Sequence, residues 1–193
     1  MELYIFRHGE SVGNQQRLFS GWSQMPLTEK GMGQARAAHE KVKDLSFDRV
    51  FSSDLRRAIQ TAQLVLPGKE PTLDPDLRES NVGSLTDRSV DACLQEYGDR
   101  IPYSRMYREF SYFGGETGDD LYVRASRFLQ RVSRLDAERV AVFTHEGLMK
   151  GLLSAVLFSA WIPDQRIKHG NCAYSVFTYT LRQGWTLLKW NNE

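Results

Sequence analysis

Arg7-His8-Gly9-Glu10 follows directly on the apolar run Leu3-Tyr4-Ile5-Phe6. A short buried strand thus ends in a histidine with an arginine before it and a glycine behind it, and the carboxyl ends of strands are where open α/β sheets bind ligands. The arginine offers a rigid fork of donors suited to phosphate. The glycine lets backbone come close to a ligand, and the histidine can serve as nucleophile, general base or metal ligand. Two further segments are built alike. Arg49-Val50-Phe51-Ser52 runs into Ser53-Asp54-Leu55-Arg56-Arg57, and Val140-Ala141-Val142-Phe143 runs into Thr144-His145-Glu146-Gly147. In a parallel sheet the three tips share one edge, which then carries His8, His145 and at least two arginines. Such a cluster repels itself unless an anion is present, and a phosphoryl group is the obvious candidate. Helices starting near Asp54 and Glu146 would aim their N-termini at the same edge.

Each residue alone also has a blander reading: a structural His8, a solvated or salt-bridged Arg57, a strand-end His145 held by hydrogen bonds. Their coincidence at three strand tips is what favours an anion site. The chemical competitor is a metal, since the two histidines with Glu10, Asp54 or Glu79 could ligate zinc or iron. The neighbouring arginines oppose a divalent cation, and no HxH or HExxH spacing occurs.

The elements that must position these residues follow from periodicity. Met32, Ala35, Ala38, His39, Val42 and Leu45 recur at helical spacing and predict a helix from Thr28 to Leu45. Leu55, Ala58, Ile59, Ala62 and Val65 predict a second, stopped by Pro67-Gly68. Leu121, Ala125, Phe128, Leu129, Val132 and Leu135 predict a third, with Thr117 as N-cap and Asp119 and Asp120 in its first turn. Leu148, Met149, Leu152, Leu153 and Val156 give a fourth. Residues Ala173 to Leu181 and Trp185 to Trp190 alternate about Gln183-Gly184 and predict a C-terminal hairpin. Alternating strands and helices imply a three-layer α/β/α sandwich around a mostly parallel sheet, with the hairpin as an antiparallel addition.

Residues Ser80 to Gly118 show no clear period. They hold Tyr97, Tyr103, Tyr107, Phe110, Tyr112 and Phe113 among Arg88, Arg100, Arg105 and Arg108. This segment is either an inserted lid over the site or a helical excursion that only packs. Trp161, Trp185 and Trp190 read as core rather than interface.

The 193 residues favour a single domain, 1–193, with a sizeable core. A formal net charge of +1 gives no pull towards nucleic acid or a membrane surface. No apolar run approaches the roughly 18 residues of a bilayer span, and Arg7 and Glu10 come too early for a signal peptide. Cys93 and Cys172 form no metal-like spacing and read as reduced thiols. The expectation is a cytoplasmic protein. A homodimer is compatible with the sequence.

The motifs extend well beyond the three tips. Ser11 and Asn14 follow the first. Ser20-Gly21-Trp22-Ser23, Pro26-Leu27-Thr28, Gly31 and Gln34-Ala35 come next, then Ser52-Ser53-Asp54-Leu55 with Arg57-Ala58 and Gln60-Thr61-Ala62. Leu77-Arg78-Glu79 with Gly83, Gly114-Gly115-Glu116-Thr117, and Thr144-His145 with Gly147 complete the series. In type and order, over nearly the whole chain, they resemble the histidine phosphatase superfamily, also called the phosphoglycerate mutase-like family.

The resemblance implies roles. His8 would attack phosphorus and form a phosphohistidine, with its other ring nitrogen held by a backbone carbonyl. Arg7, Arg57 and His145 would bind the phosphoryl oxygens, and Asn14 would add a neutral donor. Glu79 would protonate the leaving oxygen and then activate water, a role that calls for a raised pKa. No metal or other cofactor is implied. The chain departs from the family pattern in three places. Gly83 is followed by Ser84-Leu85-Thr86-Asp87, which leaves the floor of the leaving-group pocket open. Glu146 stands where a small residue is usual; its amide can still reach phosphate, while its carboxylate would disfavour acidic substrates. Lys150 stands where arginine is common and reads as a structural or surface difference.

The resemblance therefore implies a metal-independent phosphomonoesterase acting on small organic phosphates. A cofactor-dependent phosphoglycerate mutase is the alternative, disfavoured by the short chain and by a middle segment that is aromatic as well as basic. A non-catalytic phosphate-binding module is the other alternative, disfavoured because His8 and Glu79 are both present.

Overall fold

The computed structural model describes residues 1–162 and 167–192. Strand β1 (Glu2–Arg7) lies at the centre because its side chains are apolar on both faces: Leu3 and Ile5 point one way, Phe6 the other, and all three are fully buried. The same holds for Val140 and Val142 against Ala141 and Phe143 in β4 (Arg139–Thr144). With β2 (Arg49–Ser52), β3 (Thr72–Leu73), β5 (Tyr174–Thr180) and β6 (Gly184–Asn192) they form one sheet of order β3-β2-β4-β1-β5-β6. The first four strands are parallel; β5 and β6 form the antiparallel hairpin at one edge. Register is set by the burial pattern, with Ile5 opposite Val142 and Phe51 opposite the same residue.

Among the described residues seven α-helices accompany the sheet: α1 (Val12–Gln15), α2 (Glu29–Val42), α3 (Arg56–Val65), α4 (Val90–Tyr97), α5 (Arg100–Tyr107), α6 (Gly118–Val132) and α7 (Glu146–Leu157). The apolar stripes of α2 and α3 (Ala35, Ala38, Val42, Ala62, Val65) bury against Phe6, Val50 and Phe143. Those of α6 and α7 (Leu121, Phe128, Leu148, Leu152) bury against Leu3, Ile5, Val140 and Val142 on the opposite face. This gives the three layers expected. Helices leaving β1 and β2 cover one face and the helix leaving β4 covers the other, so a crevice opens at the carboxyl ends of these three neighbouring strands.

Helix starts follow the cap residues. The Thr28 hydroxyl accepts from the Gly31 amide at 3.0 Å, and Thr117 forms a reciprocal capping box with Asp120. Helix α2 ends at Val42, not at Leu45 as its period predicts. Helix α1 and strand β3 are additions to the expected elements; four and two residues are too short to show a period. Trp161, Trp185 and Trp190 pack partly buried against the α6–α7 core. Phe143 is fully buried and stacks on Phe6 at 4.9 Å between centroids. Phe143→Ala is expected to cost about 3–5 kcal/mol of stability, read as a lower midpoint in urea unfolding with an unchanged slope.

The segment 80–118 is a packed helical cap. Helices α4 and α5 and two single 3₁₀ turns, Gly83–Leu85 and Ser111–Phe113, enclose a small core of Val82, Leu85, Cys93, Ile101 and Phe110 with Phe19. Gly83 sits at φ 58°, and a Cβ there would lie 1.9 Å from the Phe113 carbonyl oxygen, so this tie within the cap requires glycine.

Candidate active site

His8 leaves the end of β1 with its backbone held on both sides. Its amide donates to Thr144 O at 3.0 Å, and its carbonyl accepts from Asn171 Nδ2 at 2.9 Å. The side chain is 4% exposed. Nδ1 lies 2.6 Å from the Gly9 carbonyl, which only a protonated Nδ1 can satisfy, so the lone pair sits on Nε2. That nitrogen receives a hydrogen bond of 3.3 Å from Arg57 Nε. Burial, then the positive charges of Arg57 and Arg7 together with the neighbouring His145, hold the His8 pKa well below its ordinary value. The ring is therefore neutral at physiological pH and presents an unprotonated Nε2.

Arg57 enters from the first turn of α3 and is 1% exposed. Its Nη1 and Nη2 donate to the Ser23 and Gly21 carbonyls, both at 2.9 Å, which fixes the guanidinium plane beside His8. Burial lowers its pKa to about 10, so it stays charged. Arg7 donates through Nη1 to the His169 carbonyl and lies 3.2 Å from Glu146 Oε2. His145 caps α7, is fully buried, and shares a hydrogen bond of 2.9 Å with Ser53 Oγ through Nε2; its ring centroid is 5.0 Å from that of His8. Burial and the charges of Arg57, Arg124 and Arg7 keep it neutral as well.

Glu79 is partly buried across the crevice. Its Oε1 accepts from the Ser80 amide at 2.7 Å, its Oε2 from the Gly147 amide at 3.3 Å, and Arg108 Nη1 lies 3.7 Å away. A Cβ on Gly147 would sit 2.0 Å from Glu79 Oε1, so glycine is what lets the carboxylate approach α7. Asn14 spends Oδ1 on the Ser11 amide and hydroxyl (3.1 and 3.0 Å), which leaves Nδ2 as its remaining donor.

These groups surround a cavity of about 910 Å³. Six cationic side chains (Arg7, Arg57, Arg105, Arg108, Lys150, Lys168) face two carboxylates (Glu79, Glu146) on its wall, a surplus of four on a chain whose formal net charge is +1. Among the described residues, three buried side-chain polar atoms lack a hydrogen-bond partner: Arg7 Nε, His145 Nδ1 and Ser20 Oγ. Arg7 and Ser20 line this crevice, and His145 lies directly behind His8. An oxyanion offers acceptors to such donors, and a neutral imidazole facing it can attack its central atom.

A family model described as histidine phosphatase superfamily (branch 1) matches residues 3–193. The chain belongs to the histidine phosphatase superfamily. A probable phosphoglycerate mutase, GpmB, of Enterobacter sp. (strain 638) is 31% identical over 195 residues, covering 97% of this chain and 91% of the relative. The adenosylcobalamin/alpha-ribazole phosphatase of Salmonella typhimurium (strain LT2) is 32% identical over 163 residues, or 81% and 80% of the two chains. The crystal structure of the alpha-ribazole phosphatase from Shigella flexneri superposes with a TM-score of 0.85 at 28% identity, covering 100% of this chain and 96% of that one.

In this histidine phosphatase-superfamily chain the expected residues converge, with corrections. His8, Arg7, Arg57, Glu79, Asn14 and Glu146 line the cavity, whereas His145 packs behind His8 and does not reach the wall. Glu79 lacks the raised pKa its expected role calls for. Burial alone would raise it, but Arg108, the Ser80 amide, Arg57 and the Gly147 amide together hold it down to about 2. Lys150 is not a surface difference: its side chain is 13% exposed, lines the cavity and lies 3.3 Å from Glu146 Oε1. Of the six aromatics named in the 80–118 segment, Phe110 alone lines the cavity. Tyr97 packs on Phe113 and Arg88, Tyr103 on Tyr107, and Tyr112 under Arg100. The cavity wall is instead Leu18, Val82, Leu94, Ile101 and Met106, with Phe19 and Phe110 as its aromatics.

Other contributors carry no signal of this role in the sequence, although Glu116 and Arg108 stand in segments already singled out. Arg124 on α6 is 8% exposed and uses all its nitrogens: it binds both Glu116 oxygens at 2.9 Å and donates to the carbonyls of Asp76, Arg78 and Glu79 at 2.7, 3.0 and 3.2 Å. Glu116 also accepts from the Asn81 amide at 2.8 Å. This ion pair clamps the backbone on both sides of Glu79. Arg108 and Asn171 act comparably on the Glu79 carboxylate and the His8 carbonyl.

Proposed function

We propose that this chain is a phosphomonoesterase that works through a phosphohistidine at His8 on small organic phosphates. The observation that carries the reading is the neutral Nε2 of His8, fixed by the Gly9 carbonyl and flanked by Arg57, on a strongly cationic cavity with Glu79 opposite. In the first step Nε2 attacks phosphorus, the ester P–O bond breaks, and the leaving oxygen takes a proton by way of Glu79. In the second, Glu79 takes a proton from water, the water oxygen attacks phosphorus, and the P–N bond breaks to release phosphate and regenerate His8. Arg7 and Arg57 hold the charge on the phosphoryl oxygens, with His145 behind and the Glu146 amide at the start of α7.

Relatives named phosphoglycerate mutase keep the mutase as the second reading. The match to the Enterobacter relative covers 91% of its length, so chain length does not separate the two. The aliphatic wall beyond Glu79 supports a leaving group with an apolar body, and thus a phosphatase. Cys93 and Cys172 are both buried and unpaired, which fits a reducing compartment.

The test is phosphate release, with EDTA present, from nitrophenyl phosphate, phosphotyrosine, sugar phosphates, alpha-ribazole phosphate and 3-phosphoglycerate. Release at a rate that EDTA does not change is expected, and the preferred ester names the substrate class. Loss of the activity in EDTA would overturn the metal-independent reading. No release from any ester, with conversion of 3- to 2-phosphoglycerate in the presence of bisphosphoglycerate, would replace the phosphatase with the mutase.

A further inference from the structure

Among the described residues, Arg7 forms one ion pair, and its partner is Glu146. The Glu146 carboxylate bridges two cations: Oε2 is 3.2 Å from Arg7 Nη1 and Oε1 is 3.3 Å from Lys150 Nζ. The cations come from different elements, Arg7 from the end of β1 and Lys150 from the next turn of α7, at the i,i+4 spacing that lets helical side chains meet. All three side chains line the cavity. Arg7 also retains an unpartnered Nε. An anion that reaches Arg7 therefore meets a carboxylate already bound to it.

We propose that the Glu146 carboxylate is an internal competitor for Arg7 that sets how tightly the site holds phosphate, and that Lys150 is the second partner to which it retreats. The assignment rests on reading the cavity as a phosphate site. A carboxylate bound to Arg7 alone would leave an unpaired charge in a partly buried crevice when phosphate displaced it, a costly step. Lys150 removes that cost, because Glu146 gives up one contact and keeps the other. In the reverse direction, Glu146 returning to Arg7 helps displace product phosphate, which would otherwise be held by the cationic surplus of the wall. Glu146 is thus an affinity-setting residue rather than a group that touches the reacting atoms.

The experiment is the inhibition constant of inorganic phosphate against nitrophenyl phosphate hydrolysis, at fixed pH and ionic strength, for wild type, Glu146→Gln, Lys150→Met and the double variant. Glu146→Gln is expected to tighten phosphate by about fivefold, the scale of one partly exposed ion pair. Lys150→Met is expected to weaken it by a similar factor in the wild-type background. In the Glu146→Gln background the same lysine change is expected to shift the constant less than about twofold, because Lys150 acts through Glu146. A folding defect would weaken phosphate in every variant and cannot produce the expected tightening. Unchanged or weaker phosphate binding in Glu146→Gln would overturn the proposal, as would a Lys150→Met effect of equal size in both backgrounds. Wild type that phosphate does not inhibit at all would overturn the phosphate-site reading together with it.

Discussion

His8→Ala is expected to lower phosphate release by on the order of 10⁴-fold or more, while inorganic phosphate still binds. The loss is large because no other group can take over. His145 is the nearest second imidazole, but it is fully buried behind His8 and its Nε2 is engaged with Ser53. Glu79 is a carboxylate held by two backbone amides and Arg108, across the crevice from where the attack starts. Binding survives because the phosphoryl oxygens are held by Arg7 and Arg57, neither of which the substitution removes. Arg57 loses one hydrogen-bond acceptor but keeps its two carbonyl partners, Ser23 and Gly21, and with them its orientation. Stopped-assay turnover of nitrophenyl phosphate measures the first quantity and calorimetric titration with phosphate the second. Mass spectrometry of the wild type quenched during turnover should also find a phosphoryl group on the peptide that carries His8, and none in the variant. Turnover above a tenth of the wild-type rate would rule out His8 as the nucleophile.

The parts of this site that the sequence discloses are those that depend on local order. The tips of β1, β2 and β4 are legible because a buried strand is a short apolar run and its end is marked by the first charged residue, as at Phe6-Arg7 and Phe143-Thr144-His145. Helices α2, α3, α6 and α7 are long enough for several turns of their apolar stripes to repeat. Helices α4 and α5 are eight residues each, and their period is lost among aromatics that pack on one another instead of facing the cavity. The Arg124–Glu116 clamp is hidden for a different reason. An arginine on an amphipathic helix looks the same in sequence whether it is solvated or, as here, fully bonded to the carbonyls that present Glu79. The ionisation of Glu79 is equally non-local. Burial acts to raise its pKa, but Arg108 and Gly147 come from segments 29 and 68 residues away and reverse the balance.

Glu79→Gln is expected to slow alkyl phosphates by about 10²–10⁴-fold but nitrophenyl phosphate by less than about tenfold. Glutamine keeps the size and the hydrogen-bonding shape of the side chain and removes its capacity to carry a proton. Nitrophenolate departs without protonation, whereas an alkoxide does not. The depressed pKa of Glu79, about 2, then fixes the pH dependence. In the free enzyme the carboxylate is ionised at every pH of interest, so the proton for the leaving oxygen has to arrive with the substrate monoanion. It can pass to Glu79 once the negative charge of the phosphoryl group offsets the positive field of Arg108 and Arg57. For alkyl phosphates kcat/KM should therefore fall as pH rises above about 6, the second pKa of a phosphate monoester, and should show no limb near the ordinary carboxylate pKa. The acid side is limited by folding. His8 and His145 have pKa values depressed by burial and neighbouring cations, and His169 is lowered to about 4 mainly by burial. Each binds a proton more readily unfolded than folded, so their contribution is intact above about 6.5 and is lost as pH falls through the folded values. The two opposing slopes confine useful activity to mildly acid pH. Equal slowing of nitrophenyl and alkyl esters in Glu79→Gln, at a pH where the fold is intact, would remove Glu79 from proton transfer and leave it a role in binding alone.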